Sequence, residues 1–214
     1  MRQKIWLINV PQNALAQITS SFIQCDALIA SAHQQDANGA YLFTSISRQQ
    51  ITHAAFLNMF IAWENFLEEV ISAYMTGSTT INGSQPVRMV APASRDEAKK
   101  MTVGVMKYFD FSNHEYVKQI SNIYFQNGYP VRGAINNINS QLSDLKTMRN
   151  ACAHVSSTTQ RALDSLALRI FGSPAPGISV YTIITSVHPA HNPDTVYLVY
   201  RNALLAAATQ IANG

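Results

Sequence analysis

Charge is the first scarcity in this chain. Only 13% of its 214 residues are Asp, Glu, Lys or Arg, about half the share near 25% that soluble domains usually carry. Ser, Thr, Asn and Gln fill the polar positions instead, leaving a weakly repulsive surface that favours self-association. The formal net charge is +3 without any run of Lys or Arg, so the electrostatic stripe of a dedicated nucleic-acid binder is missing. Affinity for a polyanion must then come from a few local groups and depend only shallowly on salt.

Cysteine is scarce as well. Cys25 and Cys152 are too few and too far apart for a disulfide framework or a zinc cluster, and a reduced, cytoplasmic setting is the expectation. No apolar run approaches the roughly 20 residues needed to cross a bilayer. No early segment joins a basic start to an apolar stretch and a cleavage site, so neither export nor a membrane anchor is expected. Metal-ligand patterns are missing too. Glu64, Glu68 and Glu69 fall together, but carboxylates on a helix usually face solvent, and His53, eleven residues before Glu64, fits no metal motif. His188 and His191 lie in a Pro-rich loop without a third ligand nearby. Neither a metal nor a cofactor is expected.

What the chain does have is apolar content and periodicity. At 47% hydrophobic it can bury one substantial core, and a single domain spanning 1–214 is expected. Leu15, Ile18, Phe22, Cys25, Leu28 and Ile29 recur at steps of three and four, marking an N-terminal helix over about 12–35. A long helix is predicted from about Thr44 to Thr76, ended by Gly77. Residues 77 to 93 are longer than a bundle needs to turn a corner, which suggests a mobile loop. Ser94, with Asp96 and Glu97 following, opens a shorter helix. Asp110 to Asn113 cap another that runs through Phe125, before Gly128 and Pro130 break the chain.

From Val131 to His154, Ile135, Ile138, Leu142, Leu145 and Met148 form one core-facing stripe, read as a continuous helix. Ser156 to Thr159 cap the next helix, which Gly172-Ser173-Pro174 stops. Ile178 to Val187 is β-branched and fits helix or strand. A final helix begins near Asp194. Helices joined mostly by short connections, without convincing alternating strands, predict an all-α bundle.

The stripe ends in Arg149-Asn150-Ala151-Cys152-Ala153-His154. Arginine presents a planar charged fork that suits phosphate oxygens, and histidine transfers protons near neutral pH. The small spacers let a second helix approach closely. At about 100° per residue, Asn150 and His154 share a face while Arg149 lies about 140° from His154. The two converge if the helix ends inside the motif, if the Arg149 stem folds round, or if two chains share a site. Cys152 reads as a small interface residue, although a cationic neighbour can lower a thiol pKa.

The stretch Leu145 to His154 resembles the Arg-Asn-x-x-x-His signature of the HEPN superfamily, all-helical domains that are often metal-independent ribonucleases. Ala62-Trp63-Glu64-Asn65-Phe66-Leu67-Glu68-Glu69 and Thr195 to Leu205 are similar to elements of its RiboL-PSP-HEPN branch. The resemblance covers about 45–212, with the N-terminal helix as an addition, and favours helix at 178–187. It implies a HEPN-type bundle with the motif at a homodimer interface, and an endoribonuclease of the toxin or phage-defence kind. Catalytic roles fall on Arg149, His154 and Asn150, with Glu64, Lys146 and Ser156 as supporting candidates. RNA is the implied substrate, and an antitoxin or regulatory protein a possible partner. Some HEPN toxins carry a Tyr two residues after the His, which a partner modifies; Ser156 stands there here, which argues against that scheme. The competing reading is a noncatalytic HEPN dimer that binds RNA or nucleotide or scaffolds a partner. A third is a helical adaptor with no nucleic-acid role.

Overall fold

The structure is a computed structural model describing residues 9–104, 108–154 and 156–214. It is 68% helical, with nine α-helices and no β-strand among the described residues, so the chain is all-α. In order these are α1 (Val10–Ala32), α2 (Ser45–Met75), α3 (Arg95–Val103), α4 (His114–Tyr124), α5 (Val131–Asn137), α6 (Asn139–Ala153), α7 (Ser157–Phe171), α8 (Val180–Thr185) and α9 (Val196–Asn213). No described helix is long and apolar enough to cross a membrane.

The contacts divide the chain into two compact units. The first holds residues 1–19, 63–137 and 206–214, and the second 20–62 and 138–205. Helices α1, α2 and α9 contribute residues to both.

In the first unit, α2 supplies the large buried side chains Trp63, Phe66, Leu67 and Tyr74. Tyr74 packs edge-on against Phe125 and donates its hydroxyl to the Ile211 carbonyl at 2.7 Å; this satisfies the polar end of a side chain whose ring contributes to the core. Helix α3 starts where Ser94 accepts from the Glu97 N–H, with Asp96 and Glu97 in its first turn, as its sequence predicts. Asn113 caps α4 in the same way. At the break after α4, Gly128 takes φ +69, where a Cβ would stand 2.7 Å from Arg132 Cβ, so glycine alone fits.

The long 77–93 segment is tied down rather than loose. Arg88 donates to the Met75 carbonyl, the Ile81 N–H to Ala212, the Met89 N–H to Tyr124, and the Gln126 N–H to Val87. The three backbone pairings, together with the Arg88 guanidinium, hold the loop in place.

In the second unit the core is built from Phe22, Phe56, Met59, Phe60, Leu142, Leu145, Met148, Leu163, Leu166, Ile183 and Ile184. Burying each large side chain contributes about 1.5–3 kcal/mol. The predicted continuous helix over 131–154 is broken. Ile138, at φ −120 and ψ 24, separates α5 from α6. The hydrophobic stripe hides the break, because Ile138 is itself buried and keeps the spacing in phase. Within residues 178–187 the short α8 forms over Val180–Thr185, capped by Ser179 accepting from the Thr182 N–H, while Val187 pairs with Thr195 in an isolated bridge.

Candidate functional site

Helix α6 delivers the motif and stops inside it. Leu142, Leu145 and Met148 are buried and fix the helix against the core, leaving Lys146, Arg149 and Asn150 half-buried on its other faces and His154 exposed. His154 leaves the helix with extended backbone, φ −139 and ψ 109, while its N–H donates to the Asn150 carbonyl at 2.9 Å. The helix therefore ends within the motif, which is one of the three conditions under which Arg149 and His154 could converge.

The next helix holds the histidine's other side. Ser156 is the N-cap of α7, accepting from the Thr159 N–H at 3.1 Å while its own N–H donates to Thr159 Oγ1 at 3.0 Å. Thr159 also donates its hydroxyl to the His154 carbonyl at 2.7 Å. Such a reciprocal capping box sets the angle of entry into a helix, and here it grips the backbone of His154 as well. The Ser156 hydroxyl is therefore occupied in capping.

The side chains of the motif are far less committed than its backbone. Arg149 makes a long contact of 3.4 Å to Asn150 Oδ1 and pairs with no carboxylate among the described residues. No hydrogen bond to the His154 ring is present among them either. From Leu145 to Leu163 the sequence carries Lys146, Arg149 and Arg161 but no Asp or Glu. The junction of α6 and α7 is thus a locally cationic elbow in a chain that otherwise has little charge, and it suits a phosphate.

Burial pushes the half-buried Cys152 thiol up to about 11, away from the thiolate that a nucleophile needs. Glu64 lies half-buried on α2, in the first unit, whereas Lys146, Arg149, Asn150, His154 and Ser156 all belong to the second. Its neighbours Glu68 and Glu69 are engaged with cations. Lys99 lies 3.3 Å from Glu68 and 2.9 Å from Glu69, and Arg95 pairs with Glu69. Burial raises the Glu69 carboxyl, but the hydrogen bonds and charges of Arg95 and Lys99 outweigh it and hold the group below its ordinary value. His188 and His191 meet edge-on at 4.8 Å between ring centroids. Among the described residues no group of three or more His, Cys, Asp or Glu could hold a metal ion.

Two polar clusters that brace the same unit escape a reading of the sequence. Asp144, on α6 and only 6% exposed, accepts from Tyr200 at 2.7 Å and pairs with Arg169 of α7. Burial pushes its carboxyl up, the bonds from Tyr200 and Arg169 pull it back, and it stays above the ordinary carboxylate value. Asp26 repeats the arrangement, accepting from Tyr197 at 3.0 Å and Arg201 at 2.8 Å. Burial and the facing carboxylates push both phenols upward, so Tyr197 and Tyr200 remain hydrogen-bond donors. The available signal was an acid at position 144 beside the stripe residues Leu142 and Leu145, together with a Tyr-x-x-Tyr-Arg run in α9 whose polar ends need partners. No family model, no curated protein and no solved structure matches the chain.

Proposed function

We propose that the chain is a metal-independent endoribonuclease of the HEPN type that acts as a homodimer. The observation that carries this reading is the end of α6: a half-buried Arg149 without a carboxylate partner and an exposed His154, both set by a rigidly capped backbone. An arginine or histidine used structurally at a helix end has its side chain spent on a carbonyl or a carboxylate. Here the backbone of His154 makes those bonds, while among the described residues Arg149 is bonded to Asn150 alone and the His154 ring makes no hydrogen bond.

The 2′-hydroxyl of the RNA attacks its own 3′-phosphate and loses its proton to a histidine as general base. Arg149 neutralises charge growing on the phosphate oxygens, and the departing 5′-oxygen takes a proton from a general acid. The products are a 2′,3′-cyclic phosphate and a 5′-hydroxyl. One histidine cannot be base and acid in the same step, so two copies of His154 across a two-fold axis divide the roles. Asn150 holds a phosphate oxygen or the ring, and Lys146 adds positive charge. Ser156 supports the site as a cap. DNA resists because it lacks the nucleophile. The HEPN resemblance extends this proposal to a toxin or phage-defence role, with an antitoxin or regulatory protein as a possible restraint.

Purified protein incubated with mixed cellular RNA in EDTA tests this, beside His154→Ala and Arg149→Ala. Cleavage that survives chelation, leaves cyclic phosphate ends and falls at least about 100-fold in each variant is the expected result. Absence of cleavage from folded wild-type dimers, with RNA bound all the same, would move the reading to a noncatalytic binding module.

A further inference from the structure

A cavity of about 250 Å³ opens in the first unit, on α2, α3 and the segment that leads into α4. Its lining includes Glu68 from α2, Lys99 and Thr102 from α3, and Tyr108, Phe109 and Phe111. Three of the four residues from 108 to 111 are thus aromatic, and all three line one cavity.

Core burial does not account for this cluster. Trp63, Phe66, Tyr74 and Phe125, the core rings of the same unit, are at most 3% exposed. Phe109 and Phe111 are only half-buried, and Tyr108 is 69% exposed. The Phe109 and Phe111 rings meet edge-on at 63°, with centroids 4.7 Å apart, so they form inclined walls rather than a flat stack. Asp110 between them is occupied elsewhere. Its carboxylate accepts from the N–H and the hydroxyl of Ser112, and its carbonyl from the Asn113 N–H, a local turn that fixes the backbone carrying the rings.

The polar groups beside the rings are unequally committed. Lys99 is shared by two carboxylates, at 2.9 Å from Glu69 and 3.3 Å from Glu68, and Glu69 also takes Arg95. Glu68 has the longer contact alone, through Oε1, among the described residues. Thr102 gives its hydroxyl proton to the Ala98 carbonyl at 3.0 Å. An anionic ligand would have to take Lys99 from two carboxylates, whereas a cation meets ring faces, which are negative, and a carboxylate with capacity to spare.

We infer that this cavity binds a methylated ammonium group, with Tyr108, Phe109 and Phe111 as its walls and Glu68 as its counter-charge. A cation within about 6 Å of a ring centroid is attracted by the ring quadrupole. Methylation matters because a bare ammonium loses a tight hydration shell that this lining, with few acceptors, does not replace. The volume agrees: an apolar cavity of about 150 Å³ accepts benzene, and a trimethylammonium head has comparable bulk, leaving room for the chain that carries it. A free small cation and a methylated lysine of a protein tail present the same chemistry.

The inference is independent of the nuclease reading, whose Arg149 and His154 belong to the second unit. Choline is titrated into the full chain and followed by proton NMR, beside its uncharged carbon isostere 3,3-dimethylbutanol. A short trimethyllysine peptide is titrated beside its unmethylated counterpart. Saturable binding of choline or of the methylated peptide is expected, with N-methyl protons shifted upfield by the rings and affinity at least about fivefold above that of the matched control. The tighter of the two identifies the source. Tyr108→Leu, at an exposed ring, and Glu68→Gln should each cut that preference at least about threefold, while Tyr108→Phe retains it, with melting curves confirming that each variant folds. Absence of saturable binding of both methylated ligands, equal affinity for the controls, or a preference unchanged by Tyr108→Leu or by Glu68→Gln would overturn the proposal.

Discussion

Arg149 and Arg169 belong to the same compact unit, on consecutive helices, yet they are held in opposite ways. Arg169 is paired with the buried carboxylate of Asp144, which Tyr200 also grips, whereas among the described residues the Arg149 guanidinium is hydrogen-bonded only to the amide of its neighbour Asn150, at 3.4 Å. Both carboxylate oxygens of Asp144 are occupied by donors, which offsets part of the penalty for burying a charge on α6. Five residues further along the same helix no acid is supplied. An arginine whose partner is built into the fold is a brace. One left without an acid, in a stretch from Leu145 to Leu163 that carries no Asp or Glu, is available to an anion from outside.

The sharpest way to break this contrast is to exchange the two losses. Arg149→Ala should lower RNA cleavage by about 100- to 1,000-fold with little change in melting temperature. Arg169→Ala should leave cleavage per folded molecule nearly intact and lower stability instead. Equal effects of both variants on cleavage would erase the distinction. The brace can then be tested from its other side. Asp144→Ala strips Tyr200 and Arg169 of their shared acceptor, leaving a buried phenol unpaired, and should cost about 1–3 kcal/mol in urea unfolding. A cost near zero would mean that water replaces the carboxylate.

A smaller effect is expected at the cap that holds the His154 backbone. Ser156→Ala removes the acceptor of the Thr159 N–H and should cost about 1 kcal/mol. If the elbow positions the catalytic histidine, cleavage by this variant falls by more than stability alone explains. The smallest effect belongs to the first unit, where Glu69 is committed to Arg95 and Lys99 much as Asp144 is to its donors. Because the Glu69 carboxyl sits below its ordinary value, its stabilising contribution is full above about pH 4.3. It is lost as the pH falls through the folded value. With roughly a third of each side chain exposed, solvent screening limits it to about 1 kcal/mol or less. Comparing Glu69→Gln with wild type from pH 7 to pH 3 should show the difference shrinking toward zero.

Much of the helical layout was legible before any coordinates. Ser94, Asn113 and Ser156 each sit where a side-chain oxygen caps a helix, because that bond is local and needs only the following turn. Gly128 and Gly172 end segments with positive φ, another local demand. The motif's position at the end of a core-facing stripe was equally plain, since Leu142, Leu145 and Met148 announce the buried face. The break at Ile138 was not, because a buried isoleucine keeps the same spacing on either side of it. Nor was the firm hold on residues 77–93, which rests largely on carbonyls and N–H groups that every sequence shares, with the Arg88 guanidinium beside them.

The sequence by itself determined the helical class, most helix boundaries and the presence of Arg149, Asn150 and His154 within one turn of a helix end. These follow from periodicity, capping and spacing, all of which act over a few residues. Tertiary structure alone decided which polar groups are committed and which are not. Asp26 meets Tyr197 and Arg201, and Asp144 meets Tyr200 and Arg169, across separations of 25 to 175 residues, while Arg149 meets no carboxylate among the described residues. Whether a charge or a hydroxyl is a brace or a site depends on what the rest of the chain brings against it. That partner is fixed only when the helices pack.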